Sequence, residues 1–189
     1  METSHGDNPL TCRRPGGGQR GYTMVELMFT VAIAALVTGL AVPNFRSFVL
    51  NNRAAEESNA LVGALALARS ESVTRGIPVS VCASSDNATC ANSTDWTTGW
   101  IVFTDVNAPI GAVDTGTVPD TVLRALPALG NGSSLTATAN FVSYAANGFL
   151  ANAAGVDFSL AISGCTGDHN RDITVNLQGR AAVAAAPCT

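Results

Sequence analysis

Residues 21–43, GYTMVELMFTVAIAALVTGLAVP, form a long apolar stretch near the start of a 189-residue chain. Glu26 is the only charged residue between Arg20 and Arg46, which leaves nineteen consecutive uncharged residues after it. A helix of that length extends about 28 Å, close to the hydrocarbon thickness of a bilayer. The stretch therefore predicts a transmembrane helix over residues 22–45.

The segment before the apolar stretch, residues 1–21, is polar and rich in Gly, Pro and Arg, so it is interpreted as a removable leader. Three of its residues are arginines (Arg13, Arg14 and Arg20), which predicts a cytoplasmic N-terminus and an external remainder. An ordinary secretory signal is one alternative, but its apolar part would be shorter and PNFRSF does not resemble its cleavage site. A buried core helix is the other alternative.

Residues 46–76 follow a different pattern, that of an amphipathic stalk helix. Apolar residues recur at spacings of three, four and seven, namely Leu50, Ala54, Leu61, Leu65 and Ala68. Gly76 and Pro78 predict the end of this helix. Because Pro43 is the only earlier stop signal, we predict one long helix with a break or kink at Pro43.

Residues 77–189 are predicted to form a β-rich globular domain outside the membrane. Gly, Asn, Asp and Ser clusters separate candidate strands at 79–82, 99–105, 121–126, 141–145, 156–162 and 172–177. Residues 106–120 and 127–140 are predicted to be loops. The chain as a whole is therefore expected to be α+β.

The composition excludes two classes of protein. Hydrophobic residues make up 47% and charged residues 13% of the chain, which is too apolar for a disordered protein. All ten basic residues are arginine and the formal net charge is -4, so a broad basic surface for nucleic acid is excluded. Any nucleic-acid contact would involve a few local arginines.

The segment from Gly21 to Met28, GYTMVELM, resembles the prepilin signal of type IV pilins and type II secretion pseudopilins. The resemblance implies cleavage after Gly21 by a prepilin peptidase and N-methylation of Tyr22 as the new N-terminus. Phenylalanine is usual where this chain has Tyr22. Glu26 becomes the fifth mature residue, and Pro43 matches the proline of many pilin helices.

The carboxylate of Glu26 has a physical reason to act in assembly. A charged residue inside a lipid-facing helix costs roughly 2.5–3.5 kcal/mol on insertion scales. The N-terminal amine of a neighbouring subunit can neutralise it, and Glu26 would then select subunits in register. The alternative is a tolerated charge that extends to the lipid headgroups.

The later sequence is similar to the GspH/FimT group of minor pilins and pseudopilins. The similarity rests on ALARSESVTRGIPVSVC (66–82), on Trp96-x-x-Gly99-Trp100, and on a late Gly179-Arg180. It implies a type IV pilin-like fold, in which the long N-terminal helix packs on an antiparallel β-sheet domain. It also implies an inner-membrane, single-pass subunit with a periplasmic domain, which enters a pilus or pseudopilus and helps to initiate its assembly. The implied partners are other pilins or pseudopilins and the inner-membrane assembly platform.

Some FimT-type proteins that this chain resembles take up DNA through a C-terminal G-R-x-R motif. Here the motif is Gly179-Arg180-Ala181-Ala182, which lacks the second arginine. The resemblance still gives DNA binding as an alternative function, in which Arg180, with Arg171, would contact phosphates. The competing interpretation of Arg180 is a structural ion pair with an acid such as Asp172.

Four cysteines follow the leader, at 82, 90, 165 and 188, and an exported domain favours their oxidation to two disulfides. Three pairings are possible, and we favour Cys82–Cys90 and Cys165–Cys188. The second bond would order the tail 181–189. A zinc site is the alternative, although the C-x2-C spacing is missing, and no metal or cofactor is expected.

No catalytic motif supports an enzyme, so a non-enzymatic subunit is predicted. Asp105, Asn107 and Asp114 could bind calcium, but their spacing does not fit an EF-hand and a role in turns is favoured. Trp96 and Trp100 could form a binding platform. The favoured interpretation is a packed aromatic pair around a turn.

Overall fold

The computed structural model describes residues 21–107, 110–116 and 118–188, and it describes their side chains except at residues 40–44. The predicted leader therefore lies outside the described residues, apart from Gly21. The chain divides into two compact units, Met1–Val42 and Pro43–Thr189.

A single helix, α1, is assigned over Met24–Arg75. It ends as the sequence predicts, because Gly76 adopts a φ of 68° and donates its N–H to the carbonyl of Ser72 at 3.0 Å. Pro78 follows two residues later. The helical assignment is continuous across Pro43, and the break predicted at this residue stays a prediction.

Eight strands form two antiparallel sheets of four strands each. The strands are β1 (Val79–Ala83), β2 (Trp100–Thr104), β3 (Val122–Leu126), β4 (Ser133–Ala137), β5 (Phe141–Tyr144), β6 (Val156–Ile162), β7 (Asn170–Val175) and β8 (Ala181–Ala186). The first sheet has the order β3-β2-β1-β5 and the second has the order β4-β6-β7-β8. This arrangement confirms the predicted α+β class, with a long helix and an antiparallel domain.

The two sheets differ in how their faces are covered. All residues of β1 and β2 are buried, so the centre of the first sheet is covered on both faces. One face contributes to the main core, and the other holds a smaller cluster of Cys82, Ile101 and Phe103. In the second sheet β6 alternates between buried and exposed residues, as in a sheet with one solvated face.

The stalk part of α1 packs into the main core through one face. Ala54, Leu61, Ala64, Leu65 and Ala68 are almost fully buried there with residues of both sheets. The predicted apolar face is therefore confirmed, with Leu50 only partly buried at its edge. Small residues on this face allow the helix to approach the sheets closely.

Two strands contradict the sequence analysis. β4 occupies part of 127–140, which was predicted to be a loop, and β8 occupies the tail, for which no strand was predicted. Their sequences, SSLTA and AAVAAA, contain few β-branched or aromatic residues. Pairing with β6 and β7 supplies the order that intrinsic propensity does not.

Candidate functional site

The start of α1 is built as a capped helix terminus. The N–H of Glu26 donates to the hydroxyl of Thr23 at 3.3 Å, and the N–H of Leu27 donates to the carbonyl of Thr23 at 3.1 Å. Thr23 is therefore the N-cap and Glu26 the third helical residue, the spacing of a capping box. Gly21 and Tyr22 precede the helix and are exposed, so the peptide bond between them lies outside regular structure.

The first part of α1 exposes apolar side chains in every direction. Large hydrophobic residues between 22 and 37 are 52–84% exposed, namely Tyr22, Met24, Val25, Leu27, Met28, Phe29, Val31, Ile33, Leu36 and Val37. A helix that is apolar all round is normally surrounded by other apolar groups, from lipid or from protein. This surface is therefore the strongest candidate for contacts made outside the monomer.

Two hydroxyls on the same surface have their hydrogen bonds satisfied inside the helix. Thr30 donates to the carbonyl of Leu27 at 2.9 Å, and Thr38 donates to the carbonyl of Ala34 at 2.8 Å. Such bonds lower the cost of placing a hydroxyl in an apolar environment.

Among the residues that the structure describes, no helix combines the length and apolarity needed to cross a membrane.

The two arginines predicted to contact DNA lie at opposite ends of the β7–β8 hairpin. Arg171 pairs with Ala185, whereas Arg180 precedes β8 in a turn where Asn176 donates its N–H to the Arg180 carbonyl at 3.1 Å. Five residue positions separate Arg171 from Asn176, about 17 Å of strand. The fold therefore does not bring the two guanidinium groups together.

The two arginines also differ in their surroundings. The guanidinium of Arg171 donates to the carbonyls of Asp168 and Asn170 and to Oδ1 of Asn51, so its main contacts are structural. Arg180 is exposed. Within the described part of the chain the salt bridges are Arg53–Glu57 and Arg75–Glu71, and the proposed pair of Arg180 with Asp172 is not among them.

The structure contains the two disulfides favoured from the sequence. Cys82 is bonded to Cys90, and Cys165 to Cys188, with sequence separations of 8 and 23. With all four sulfurs oxidised in pairs, none of them remains as a thiolate for zinc. Cys188 also donates its N–H to the carbonyl of Gly167 at 2.8 Å, which holds the tail beside the loop after β6.

The short loop closed by Cys82–Cys90 is organised by one carboxylate. Asp86 accepts hydrogen bonds from the N–H groups of Ala88 and Thr89 and from the hydroxyls of Ser84 and Thr89. The bonds from Thr89 contribute most to a pKa of Asp86 that lies well below its usual range. The aspartate therefore acts as a turn-stabilising acceptor.

The carboxylates of the loop after β2 form turns. Asp120 accepts from the N–H groups of Val106 and Asp114, and Asp105 accepts from the N–H of Gly111 and the hydroxyl of Ser80. Among the described residues, no cluster of His, Cys, Asp and Glu is arranged to hold a metal ion. Oδ1 of Asp114 accepts from the N–H of Gly116 at 2.8 Å, so Asp105 and Asp114 both serve as acceptors for main-chain N–H groups in these turns.

Both tryptophans are almost fully buried, so neither forms an exposed platform. Trp96 packs edge-on against Phe158 with ring centroids 5.0 Å apart, and its Nε1 donates to the carbonyl of Ala139. Trp100 lies in β2, opposite Ala83 and Leu126. The aromatic partner of Trp96 is therefore Phe158 rather than the predicted Trp100.

Sequence analysis missed two features of these sites. The cap at Thr23 has a local signal, the T-x-x-E spacing to Glu26. The bond between Arg171 and Asn51 has no local signal because it joins distant parts of the chain.

The chain is similar to known proteins in sequence and in fold. The family model described as type II transport protein GspH matches residues 57–179, and the prokaryotic N-terminal methylation motif matches residues 17–42.

The structure is similar to the type IV minor pilin FimU of Pseudomonas aeruginosa PAO1, with a TM-score of 0.55, 20% identity, and 75% of this chain and 99% of that chain covered. The minor pseudopilin EpsH of the Vibrio cholerae type 2 secretion system is also similar, with a TM-score of 0.44, 14% identity, and 70% and 97% covered. The FimU match shows a shared pilin-like fold, and the family match covers well over half of the chain. The chain belongs to the GspH family of type II transport proteins, which groups minor pilins and pseudopilins.

Proposed function

We propose that the protein is a minor pilin or pseudopilin that helps to initiate a filament, either a type IV pilus or a type II secretion pseudopilus. The observation that carries the proposal is the combination of an N-terminal methylation motif with a helix that is apolar and exposed on every side. Such a helix requires apolar neighbours, and a filament core of like helices provides them. The role is structural, with no catalytic step.

Processing at the start of the chain is the first step of the proposed function. A prepilin peptidase cleaves after Gly21, and Tyr22 becomes the N-methylated terminus. The exposure of both residues ahead of the Thr23 cap supports this step, since a protease needs an accessible, extended backbone. Before assembly, residues 22–45 hold the subunit in the inner membrane, with its globular unit in the periplasm.

Assembly then depends on Glu26. The new amine on Tyr22 is a positive charge beside the positive end of the helix dipole, which is unfavourable without a carboxylate nearby. The amine of one subunit and Glu26 of the next satisfy each other, and this pairing sets the register during insertion from the assembly platform. Glu26 lies in the first turn of α1, which Thr23 caps. Its carboxylate is therefore at the helix end that the amine of the neighbouring subunit would approach.

Maturation tests the proposal directly. Co-expression with a prepilin peptidase is expected to remove residues 1–21 and add one methyl group, as measured by intact-mass spectrometry. Gly21→Ala is expected to abolish the mass change, while Gly18→Ala in the same leader is the matched control and is expected to be processed. An unchanged mass in the parent chain, or normal processing of Gly21→Ala, would contradict the proposal.

The step after maturation has its own test. Glu26→Gln is expected to be cleaved normally and to remain membrane-bound, but to be lost from sheared filaments and to lower their number in a strain that lacks the native subunit. Glu71→Gln, near the C-terminal end of the same helix, where Glu71 pairs with Arg75, is the control. Wild-type incorporation of Glu26→Gln would refute the role of this carboxylate.

One observation supports a second candidate function, contact with nucleic acid. Exposed Arg180 lines a cleft of about 200 Å³ together with Arg69 and Tyr144. Burial raises the pKa of Tyr144 to about 12. Its hydroxyl is neutral at physiological pH, as that of an ordinary tyrosine also is, and adds no repulsion to a phosphate. We propose Arg180 as the phosphate contact of this alternative. Arg171 contributes less to phosphate binding, because its guanidinium is engaged in hydrogen bonds within the fold.

A gel-shift titration at low salt tests this alternative. Arg180→Ala is expected to weaken DNA binding on the order of tenfold and to reduce its salt dependence by about one phosphate contact. Arg124→Ala, at an exposed arginine on the other sheet, is the control. Absence of binding by the parent chain, or equal losses in both variants, would remove the nucleic-acid function.

A further inference from the structure

The last strand, β8, is an edge of the second sheet. The strand order β4-β6-β7-β8 leaves it paired with β7 alone. Its sequence, AAVAAA, contains neither a charge nor a proline, with which natural edge strands commonly prevent pairing with another chain. The opposite edge, β4, is already covered, because Leu135 accepts from the N–H of Trp96 and Ala137 donates to the carbonyl of Thr94.

The main-chain groups on the outer side of β8 belong to Ala181, Val183 and Ala185. The hairpin begins with a hydrogen-bonded pair, in which Asn176 donates its N–H to the carbonyl of Arg180. Hydrogen-bonded and non-bonded pairs alternate along an antiparallel ladder, so the three residues direct their N–H and C=O groups away from β7. Within the described ranges 21–107, 110–116 and 118–188, no main-chain hydrogen bond reaches these six groups. They line an edge of about 13 Å.

One end of this edge lies at the cleft that contains Arg180. The cleft separates α1 from the turn before β8, and its volume is about 200 Å³. That is below the roughly 300–1,000 Å³ of clefts that enclose a whole small ligand, so it suits one end of a longer ligand. Its lining includes four apolar residues and two arginines, namely Val62, Leu65, Ala66, Ala181, Arg69 and Arg180.

The charge of this cleft selects an anionic group. Both arginines line it, and no acidic residue is among the described residues of its walls. Neither arginine takes part in the salt bridges of the described residues, and Arg69 is held by the bond from its Nε to the carbonyl of Gly148 at 3.0 Å. Two cations beside apolar walls suit a carboxylate carried by a residue with an apolar side chain.

The edge strand and the helix wall are connected before any ligand binds. Nη2 of Arg171 donates to Oδ1 of Asn51 at 2.6 Å, which links α1 to the β7 residue that pairs with Ala185. Cys188, just after the strand, is bonded to Cys165. A strand that is already ordered costs little entropy when a ligand pairs with it.

We propose that β8 binds the C-terminal segment of a partner protein as an added antiparallel strand, whose terminal carboxylate binds Arg180 and Arg69. A terminal residue supplies both the carboxylate and the apolar side chain that the cleft suits, and strand addition with capture of a terminal carboxylate is a known mode of peptide recognition. Because the arginines lie at the start of β8, the segment must run antiparallel to it.

This register predicts which residues the segment carries. Its last residue pairs with Ala181, and its third-last residue pairs with Val183. Side chains at these two positions lie on the same face of the sheet as Val183, which is 44% exposed. Both residues are therefore apolar.

This inference rests neither on the filament function nor on the nucleic-acid alternative. It concerns the globular unit and needs neither cleavage nor assembly, so a failed maturation test leaves it intact. A phosphate contact uses the Arg180 side chain, whereas an added strand also uses the outward main-chain groups of β8. The amides of Ala181, Val183 and Ala185 therefore distinguish a polypeptide from a phosphate.

The experiment is an NMR titration of the full chain in detergent micelles, with amide hydrogen exchange. The probe is the N-acetylated peptide Ser-Ala-Val-Ser-Leu with a free carboxylate, and the comparison is the same peptide with a C-terminal amide. At saturation, exchange of the three outward amides is expected to slow on the order of tenfold or more, while the inward amides of Ala182 and Ala184 change little. The amidated peptide is expected to bind on the order of tenfold more weakly.

Variants separate the carboxylate from the strand contact. Arg180→Gln is expected to lower affinity for the free acid on the order of tenfold and to remove its advantage over the amide. Arg124→Gln, at an exposed arginine on the other sheet, is the control and is expected to bind normally.

Val183→Pro removes one outward N–H and leaves the bonds to β7 in place, so it is expected to abolish strand addition. Val183→Ala keeps that N–H and is expected to bind within about threefold of the parent chain. Slow exchange of Ala182 and Ala184 reports that β8 is formed in each variant.

Several results would overturn the proposal. They are outward amides that stay unprotected at saturating peptide, equal affinity for the free acid and the amide, and normal binding by Val183→Pro with β8 formed. Equal binding of an amidated peptide ending in aspartate would identify an acidic side chain as the ligand. Protection that rises with protein concentration in the absence of peptide would identify a second copy of this chain as the added strand. Each of these two results would also overturn it.

Discussion

Nη2 of Arg171 donates a hydrogen bond to Oδ1 of Asn51 at 2.6 Å, across 120 positions of sequence. The bond joins β7 to the stalk part of α1, and the same guanidinium also donates to the carbonyls of Asp168 and Asn170. One arginine thus connects the helix, the β6–β7 loop and the second sheet. Arg171, which the sequence analysis considered as a nucleic-acid contact, therefore connects separate parts of the fold.

Replacement of this arginine is expected to destabilise the globular unit. Arg171→Ala should lower the free energy of unfolding by roughly 2 kcal/mol, because hydrogen bonds from a charged donor are lost and their acceptors remain half-buried. Urea denaturation of the full chain in detergent measures the change. Arg180→Ala, at the exposed end of the same hairpin, should change it by less than about 0.5 kcal/mol. A loss below about 0.5 kcal/mol in Arg171→Ala would show that the bonds of Arg171 contribute no stability.

Gly99 is expected to tolerate no side chain. It has a φ of 103°, and a Cβ there would lie 2.5 Å from the carbonyl oxygen of Leu126 and 2.8 Å from the carbonyl carbon of Pro127. Gly99→Ala should therefore cost about 3 kcal/mol or more from backbone strain and overlap. Gly63→Ala is the matched control, since Gly63 is an exposed helical residue with nothing within 4 Å, and it should stabilise by about 0.5–1 kcal/mol. A neutral Gly99→Ala in thermal or urea unfolding would contradict the close approach.

The Cys165–Cys188 disulfide is expected to be needed for the last strand. β8 is mostly exposed and consists of alanine and one valine, so little burial holds it in place. The double variant Cys165→Ser/Cys188→Ser should lose about 3 kcal/mol of stability by loop-closure entropy. Amide hydrogen exchange should show lost protection in β8 and retained protection in β1. The counterpart Cys82→Ser/Cys90→Ser should leave β8 protected, and equal loss of β8 protection in both variants would be inconsistent with this role.

Asp105 is expected to give stability a measurable pH dependence. Burial raises the pKa of Asp105 above its ordinary value of 3.8, against the opposing hydrogen bonds from Ser80 and Gly111, and the charge of Asp120 raises it further. The folded protein therefore holds this proton more tightly than the unfolded chain. That contribution to stability is complete below the unfolded pKa and is lost as pH rises through the folded pKa.

Asp105→Asn removes this titration and leaves an oxygen that can accept from the same donors. Relative to the parent chain, the variant should gain stability as pH rises from about 4 to neutral, as measured by unfolding at a series of pH values. Asp157→Asn, at an exposed strand residue, is the control and should not show this trend. Parallel pH profiles for the parent and Asp105→Asn would exclude a raised pKa.

The sequence by itself determined the elements whose order is local. A charge-free stretch after Glu26, apolar residues at helical spacing up to Ala68, and Gly76 as a stop predict α1 almost to the residue, because helical contacts are made between near neighbours. Strands rich in Val, Ile, Phe and Trp were also predicted, since their side chains favour extended, buried positions. The prepilin signal and the W-x-x-G-W motif indicated the family for the same reason, that each is contained in a short segment.

Only the tertiary structure decided the rest. β4 and β8 have weak intrinsic propensity and exist because neighbouring strands pair with them. Arg171 and Arg180 share a hairpin but lie at its opposite ends, and Arg171 donates a hydrogen bond to Asn51, 120 positions away. These relationships depend on how distant segments meet, and the periodicity of a single segment contains no information about that.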